Sequence, residues 1–431
     1  MKLLKVSFII AIAVMAIIGI SATSYAFHDG GVARCEACHT MHNSFQQGAM
    51  SGTGTTTIGA YGTGNPSNSA VFLLRGTDQS STCLNCHEKS TDTGPSSYHV
   101  STTQATIDAS ANKAPLQRGP GGDFGWLRIA TTTSTASPKD RHGHNIVAAD
   151  FGYTADGVNL TAPGTTFAAT QLNCISCHNP HNALRRTDEF GTQATTGAPI
   201  VASGSYNDSP VATSTAAVGV YRFLRGAGVD QAPKSYSSFV FGATAPDAVA
   251  PKSYNRTEAV SDTVVAYGQG MSQWCGNCHG SFYDTAYSSG NSGHGHPTNV
   301  ALGATILANY NAYVKTGDMS GTQGFSSLVP VEQGSADYTA LKSFATNTAG
   351  NYQITASAKV QCLSCHRAHA SGFESMTRFY VAGTITETTG QYTLASGQTT
   401  TLQVKAAYYD RPETVFAAYQ RTLCNKCHAK D

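Results

Sequence analysis

Charge is scarce in this 431-residue chain: Asp, Glu, Lys and Arg make up 12% of it and balance to a formal net charge of +1. That excludes the basic footprint of a nucleic-acid binder and the acidic tail of a solvating segment, so no nucleic-acid partner is expected. Long apolar runs are also missing after residue 20. Hydrophobic residues reach 40%, but they are dispersed among tracts of Gly, Ser, Thr and Ala such as 51–70, 130–138 and 191–217. The two or three conventional domains expected at this length would each need an apolar periodic core that such tracts do not supply. Something other than aliphatic packing must hold the chain together.

Cysteine is present in a single pattern. All 12 Cys fall in six C-x-x-C-H motifs: Cys35/Cys38/His39, Cys83/Cys86/His87, Cys174/Cys177/His178, Cys275/Cys278/His279, Cys362/Cys365/His366 and Cys424/Cys427/His428. Chance placement of the same residues gives on the order of 0.01 such motifs. None is left over for a disulfide or a free thiol. This is the attachment signature of c-type haem. Cysteines at i and i+3 share one face of a helical turn and can form thioethers to both vinyl groups of one ring. The next residue, His, then sits beneath the iron as its proximal ligand. Zinc would want paired Cys-x-x-Cys halves or a His pair three to five residues apart, and would leave the adjacent His without a role. Six covalently attached haem c groups are therefore expected.

Residues 1–26 read as a secretory signal peptide. Lys2 and Lys5 form its positive region, Val6 to Ile20 its apolar run, and Ser24-Tyr25-Ala26 its cleavage site before Phe27. The run is short for a spanning helix. Residues 27–431 are expected to form a single exported domain, because motifs occur from one end of the mature chain to the other. Losing Lys2 and Lys5 turns the net charge to −1. Twelve haem propionates would bring the reduced holoprotein to about −13. Residues 301–314 and 412–423 carry helical patterning, and 383–404 read as a β-hairpin around Gly390 and Gly397. Two short echoes, Phe72-Leu-Leu-Arg75-Gly76 against Phe223-Leu-Arg225-Gly226 and Pro-Lys-Ser-Tyr at 233–236 and 251–254, are too brief to establish duplication.

The second axial ligand separates a carrier from a catalyst. Nine further histidines are available: His28, His42, His99, His142, His144, His181, His294, His296 and His369. Methionines 41, 50, 271, 319 and 376 are the alternative ligands. Three of the histidines follow a motif at +3, as His39/His42, His178/His181 and His366/His369. Both side chains of such a pair leave one side of a helical turn, so they cannot close opposite faces of one iron. If His42, His181 or His369 binds iron, it binds a different haem. Arg75, Arg185, Arg186, Arg225, Arg378 and Arg411 are candidates for pairing haem propionates, with ordinary surface roles as the alternative.

Several stretches carry a family likeness: FHDGGVARCEACHTMHNS (27–44), DTGPSSYHVST (92–102), GGDFGW (121–126), GHNIVAAD (143–150), AYGQGMSQWCGNCH (266–279), QCLSCHRAHASGFESMTRF (361–379) and YQRTLCNKCHAKD (419–431). The chain resembles the outer-membrane cytochrome S family, hexahaem c-type cytochromes of dissimilatory metal-reducing bacteria that polymerise into extracellular nanowires. The likeness covers essentially the whole mature chain, with departures in 51–70 and 383–404, and His142 and His294 outside the family pattern. It implies bis-His haems stacked as one continuous chain, with His42 ligating the His366 haem of the neighbouring subunit. It favours His144 over His142 and His296 over His294. His28, His99, His144, His181, His296 and His369 are then left for five distal positions; one is surplus, and the residues do not say which.

The expected fold is mostly irregular coil and turn, with short helices and minor β-hairpins, wrapped around a stacked haem chain. The expected function is extracellular long-range electron transfer by head-to-tail polymerisation into a conductive filament. Upstream periplasmic or outer-membrane cytochromes would be its donors and metal oxides examples of its acceptors. A monomeric periplasmic or surface electron shuttle is the alternative, and it would have to satisfy every iron without His42 of a neighbour. A multihaem reductase would need an open iron position, often at a variant motif. All six motifs here end in His, so an electron-transfer protein rather than an enzyme is expected, with reduction of extracellular metal at exposed haem edges the one chemistry on an outside substrate.

Overall fold

Gly, Ser and Thr disfavour long helices, and the chain is built accordingly. The computed structural model describes residues 35–39, 44–45, 48–49, 74–89, 98–129, 139–181, 184–227, 241–251, 258, 263–280, 282, 296–313, 324–346, 353–394 and 400–428. The leader and the tracts 51–70 and 130–138 lie outside them. Nine short α-helices occur among the described residues: α1 (Cys35–Cys38), α2 (Gln79–His87), α3 (Gln104–Ala109), α4 (Cys174–Cys177), α5 (Met271–Cys275), α6 (Ala304–Ala312), α7 (Tyr338–Phe344), α8 (Cys362–Cys365) and α9 (Thr401–Ala407). The longest, α2 and α6, have nine residues each. Side-chain caps start several of them. Asp78 accepts from the Ser81 amide at 2.7 Å for α2, and Asp337 from the Ala340 amide at 2.9 Å for α7. None of these helices is long and apolar enough to cross a membrane.

The sheets are small. The largest has four strands, ordered Gln193–Ala194, Arg185–Arg186, Ala217–Gly219 and Ile200–Ala202, the last pair parallel. The 191–217 tract is thus partly sheet. The remaining pairs have two strands each. Aromatic rings, among them Phe124, Trp126, Tyr310, Phe373, Tyr392 and Tyr408, share the largest buried cluster with aliphatic side chains. Tyr392 and Tyr408 stack at 4.6 Å between centroids. Rings bury more surface per residue than aliphatic side chains, which suits a chain with few apolar positions.

Two expected elements differ from those observed. In 383–404 the hairpin is only Glu387–Thr388 against Gln391–Tyr392, turning through Thr389 and Gly390, while residues 401–407 form α9. The Thr400 hydroxyl accepts from the Gln403 amide at 3.1 Å, and this cap overrides the β-like alternation. In 412–423 a 3₁₀ turn at Glu413–Val415 replaces the expected helix. Phe416 leaves that turn extended to pack its ring against Tyr392, 5.9 Å away, and Tyr419 takes a left-handed φ of 59°. The helix expected over 301–314 is present as α6.

Candidate haem sites

Each motif is placed by a short turn. The first, third and fifth lie within α1, α4 and α8; the second closes α2; the fourth begins at the end of α5; the sixth sits in a 3₁₀ turn at Leu423–Lys426. In motifs three to six the His amide reaches back to the carbonyl of the first Cys at 3.0 Å, so each proximal His leaves its turn in the same register. Motifs three and five share further details. Ser176 and Ser364 accept from the cap amides of Asn173 and Gln361, each at 3.1 Å. The first cysteines, Cys174 and Cys362, donate their amides to Ser80 and Ser272 at 3.1 and 3.2 Å. Those serines stand three residues before Cys83 and Cys275, so each even motif caps the odd motif that follows it. Lys426, inside motif six, donates to the carbonyls of Tyr310 at 2.8 Å, Tyr313 at 2.5 Å and Gly324, tying that motif to α6.

Cys86 lies in the last turn of α2. It is exposed, as is Cys424, whereas the other motif cysteines whose side chains are described are half-buried. The cause lies in the packing of α2. That helix buries Gln79, Ser80, Ser81, Thr82 and Leu84, which leaves Asn85 and Cys86 on the outer side of its last turn. The protein thus half-covers Cys83 and leaves Cys86 open. Motif spacing, and not enclosure by the chain, assigns a thioether to Cys86.

Four histidine pairs face one another across the chain. His39 lies across from His181 with ring centroids 6.3 Å apart, His178 from His369 at 6.3 Å, His279 from His144 at 6.0 Å, and His428 from His296 at 6.0 Å. Two imidazoles bound trans to one metal through nitrogens at about 2 Å have centroids roughly 6 Å apart. The pairs fit that requirement. In each, one member is the His of a C-x-x-C-H motif and the other comes from elsewhere in the chain. His181 and His369 face the His of another motif and not of the motif they follow. His144 and not His142 faces His279; the His142 Nδ1 is 3.1 Å from the Ser371 carbonyl. His87 has its Nδ1 on the Tyr98 carbonyl at 2.8 Å, and the Tyr98 ring lies 4.4 Å from that of His99. His28, His42 and His294 lie outside the described residues.

Desolvation lowers the pKa of His144, His178, His279, His366 and His369 and so favours the neutral imidazole, the form that binds a metal. His144 falls to about 4 and His369 to about 3, both mainly through desolvation. Backbone carbonyls accept from the outer ring nitrogen, fixing tautomer and orientation: Arg222 for His178, Pro163 for His279, Ser375 for His366 and Ala368 for His144, at 2.7–3.1 Å. Burial pushes the Cys177 thiol up to about 12 and the Cys278 thiol up to about 11, while hydrogen bonds from the thiols of Cys83 and Cys275 draw Cys174 down and Cys362 down to about 7. Among the described residues no group of three or more His, Cys, Asp or Glu side chains is gathered to hold a bare metal ion. The described motif residues thus fit a covalently held ring better than a metal cage.

Sulfur atoms of successive motifs are neighbours. The Cys83 thiol meets that of Cys174, and Cys275 meets Cys362; Cys38 acts on Cys83, Cys278 on Cys177, and Cys424 on Cys365. The motifs therefore succeed one another in space in the order of the sequence.

The proposed propionate arginines are engaged with protein. Arg186 pairs with Asp247 at 2.5 Å, Arg185 donates to the Ala198 carbonyl at 2.9 Å, and Arg378 pairs with Glu258 at 3.1 Å. Arg411 donates to the Glu258 carbonyl at 3.0 Å and to Ser327 at 2.5 Å. Arg225 reaches the Ile175 carbonyl at 3.0 Å. The Arg75 amide donates to the Cys38 carbonyl at 2.9 Å. Ser80, Ser272 and Lys426 were not anticipated; the only signal for them is a position within or three residues before a motif.

No family model matches the chain. Full-length comparison finds C-type cytochrome OmcS of Geobacter sulfurreducens, 48% identical over 449 aligned positions that cover all of both proteins. The chain belongs to the OmcS family of c-type cytochromes. A cryo-EM structure of OmcS nanowires and one of the outer membrane cytochrome S filament, both from Geobacter sulfurreducens, match with TM-scores of 0.81 and 0.82. Each is 47% identical and covers 94% of this chain and 100% of that one. As a member of the OmcS family the protein carries covalently bound haem c, and its few short helices and small sheets in a largely irregular chain are the OmcS fold.

Proposed function

We propose that this protein binds six c-type haems, each between two imidazoles, and conducts electrons along them in an extracellular filament of repeated subunits. When bound, haem supplies the reversible one-electron iron couple. The chain supplies the rest. The facing histidines would hold each haem iron from both sides and leave no site for substrate. Carbonyls on their outer nitrogens keep them oriented. The contacts between sulfurs of successive motifs favour a sequential path from the first haem to the sixth.

One observation carries the proposal that subunits join by coordination. The His three residues after motif three faces the proximal His of motif one, and the His three residues after motif five faces that of motif three. A trailing His thus serves the haem two motifs earlier. By the same step the His366 haem requires a seventh motif, and the first motif of the next subunit, with His42, can take that place. Such a heterologous contact does not close on itself and propagates as a filament. Membership of the OmcS family supports this, because the solved OmcS structures are of nanowires and filaments.

His42→Ala tests it. Intact mass should still exceed the polypeptide from Phe27 by six haems, but one haem should become five-coordinate or water-ligated, and filaments should shorten or disappear in negative stain. His142→Ala should do neither. The parent filaments should survive high salt, which screens surface ion pairs but not an iron–nitrogen bond. Full-length filaments with six low-spin haems in His42→Ala would revive the monomeric shuttle.

A further inference from the structure

We propose, on the six-haem reading above, that Arg75, Arg225 and Arg378 are one positioning residue used three times, orienting the proximal imidazole and setting the reduction potential of the first, third and fifth haems.

The same contacts recur at the odd motifs. The amide of each arginine donates to the carbonyl of the second motif cysteine: Arg75 to Cys38 at 2.9 Å, Arg225 to Cys177 at 2.9 Å and Arg378 to Cys365 at 2.7 Å. The residue before each arginine bridges the proximal His: Leu74 with His39, Leu224 with His178 and Thr377 with His366. Three residues before the arginine, the carbonyls of Arg222 and Ser375 accept from the Nδ1 of His178 and His366, each at 2.8 Å. The guanidinium then reaches back to the first residue between the cysteines. Arg225 Nη1 meets the Ile175 carbonyl at 3.0 Å and Arg378 Nε the Leu363 carbonyl at 2.6 Å. The brief echo between 72–76 and 223–226 in the sequence is part of this device.

The connecting turn is held in an unusual conformation at the third and fifth motifs. Arg222 and Phe223 have φ of 46° and 57°, and Ser375 and Met376 have φ of 57° and 48°. Consecutive left-handed residues without glycine persist where surrounding structure imposes them. Here they turn the carbonyl onto the imidazole. That bond fixes the tautomer and raises ligand basicity, while the cation of Arg225 favours the reduced third haem; at the fifth, Glu258 at 3.1 Å offsets the charge of Arg378, and orientation is the larger effect. In two of the even motifs a side chain, and not an arginine's backbone amide, donates to the equivalent carbonyl: Thr165 Oγ1 to Cys278 at 2.9 Å and Asn309 Nδ2 to Cys427 at 3.1 Å.

The test uses secreted holoprotein with Arg225→Gln and Arg225→Lys. Haem content comes from intact mass, axial ligation from optical and electron paramagnetic resonance spectra, and potentials from a redox titration resolved into six components. Both variants should keep six low-spin haems. Arg225→Gln should move one component to lower potential and shift one low-spin g-value. Arg225→Lys should hold that component near the parent potential while shifting the same g-value, because charge is retained and the planar fork is lost. Should Arg225→Gln not be secreted, Arg225→Lys and Phe223→Gly carry the orientation test through the same g-value. Components and g-values superimposable on the parent would overturn the proposal. Fewer than six haems, or a high-spin haem, in the parent protein would instead sink the six-haem reading on which it stands.

Discussion

Arg186 takes its charge into the interior with no exposed surface, and Asp247, 5% exposed, goes with it. Its Nε and Nη2 reach Asp247 Oδ1 at 2.8 and 2.5 Å, Nη1 donates to the Gly219 carbonyl, and the guanidinium lies 4.3 Å from the centre of the Tyr338 ring. Removing one partner of such a pair strands the other charge, so Arg186→Ala should cost about 3–5 kcal/mol, read as a lower guanidinium chloride midpoint. Haem content and potentials should hold. A propionate partner would behave the other way, with moved potentials and little change in the midpoint. The two cases differ in what the sequence discloses. The thioether cysteines and proximal histidines are legible because covalent chemistry demands a fixed local spacing. Arg186 and Asp247 are 61 residues apart, and nothing local marks either as the other's partner.

Short elements follow their terminal residues more than their apolar pattern. In the 387–392 hairpin, exposed Thr389 and Gly390 form the two-residue turn with φ of 53° and 82°, and Glu387 Oε1 accepts from the Gly390 amide. Gly adopts this conformation freely; a β-branched Thr does not. Thr389→Asn should therefore stabilise the protein by about 0.5–1 kcal/mol, and Thr389→Val should lower stability, both seen in the thermal midpoint. Gly390 was readable as the centre of a hairpin for this reason. The second half of the expected hairpin was not, because Thr400 caps a helix whose residues, Thr401, Leu402 and Val404, also suit a strand. The helix expected over 412–423 fails for a tertiary reason: Phe416 is drawn into the Tyr392–Tyr408 cluster. Only α6, with a plain helical pattern and no such competition, follows its local signal.

Across the whole molecule the motifs come in alternating kinds, and the alternation reaches a ligand that spacing alone left open. On the proposed ligation, odd haems take their second imidazole from the His trailing the motif two places later, as the facing of His181 with His39 and of His369 with His178 suggests. The described even pairs follow another rule with the same step. His144, facing His279 of motif four, lies between motifs two and three; His296, facing His428 of motif six, lies between motifs four and five. Each even haem is thus served by the segment just before the preceding odd motif. For the His87 haem that segment precedes motif one, and its histidine is His28. By this rule His99, although nearer to His87 in sequence, is the surplus candidate. His28→Ala should then keep six haems by mass but expose one iron to carbon monoxide in the reduced protein. His99→Ala should leave six low-spin haems and no carbon monoxide binding. The reverse result would show that the two-motif step stops short of the first pair, and that the segment between motifs one and two supplies its own ligand. Filament length separates this site from the subunit joint: His28→Ala opens a haem within one subunit and should still polymerise, whereas His42→Ala should not.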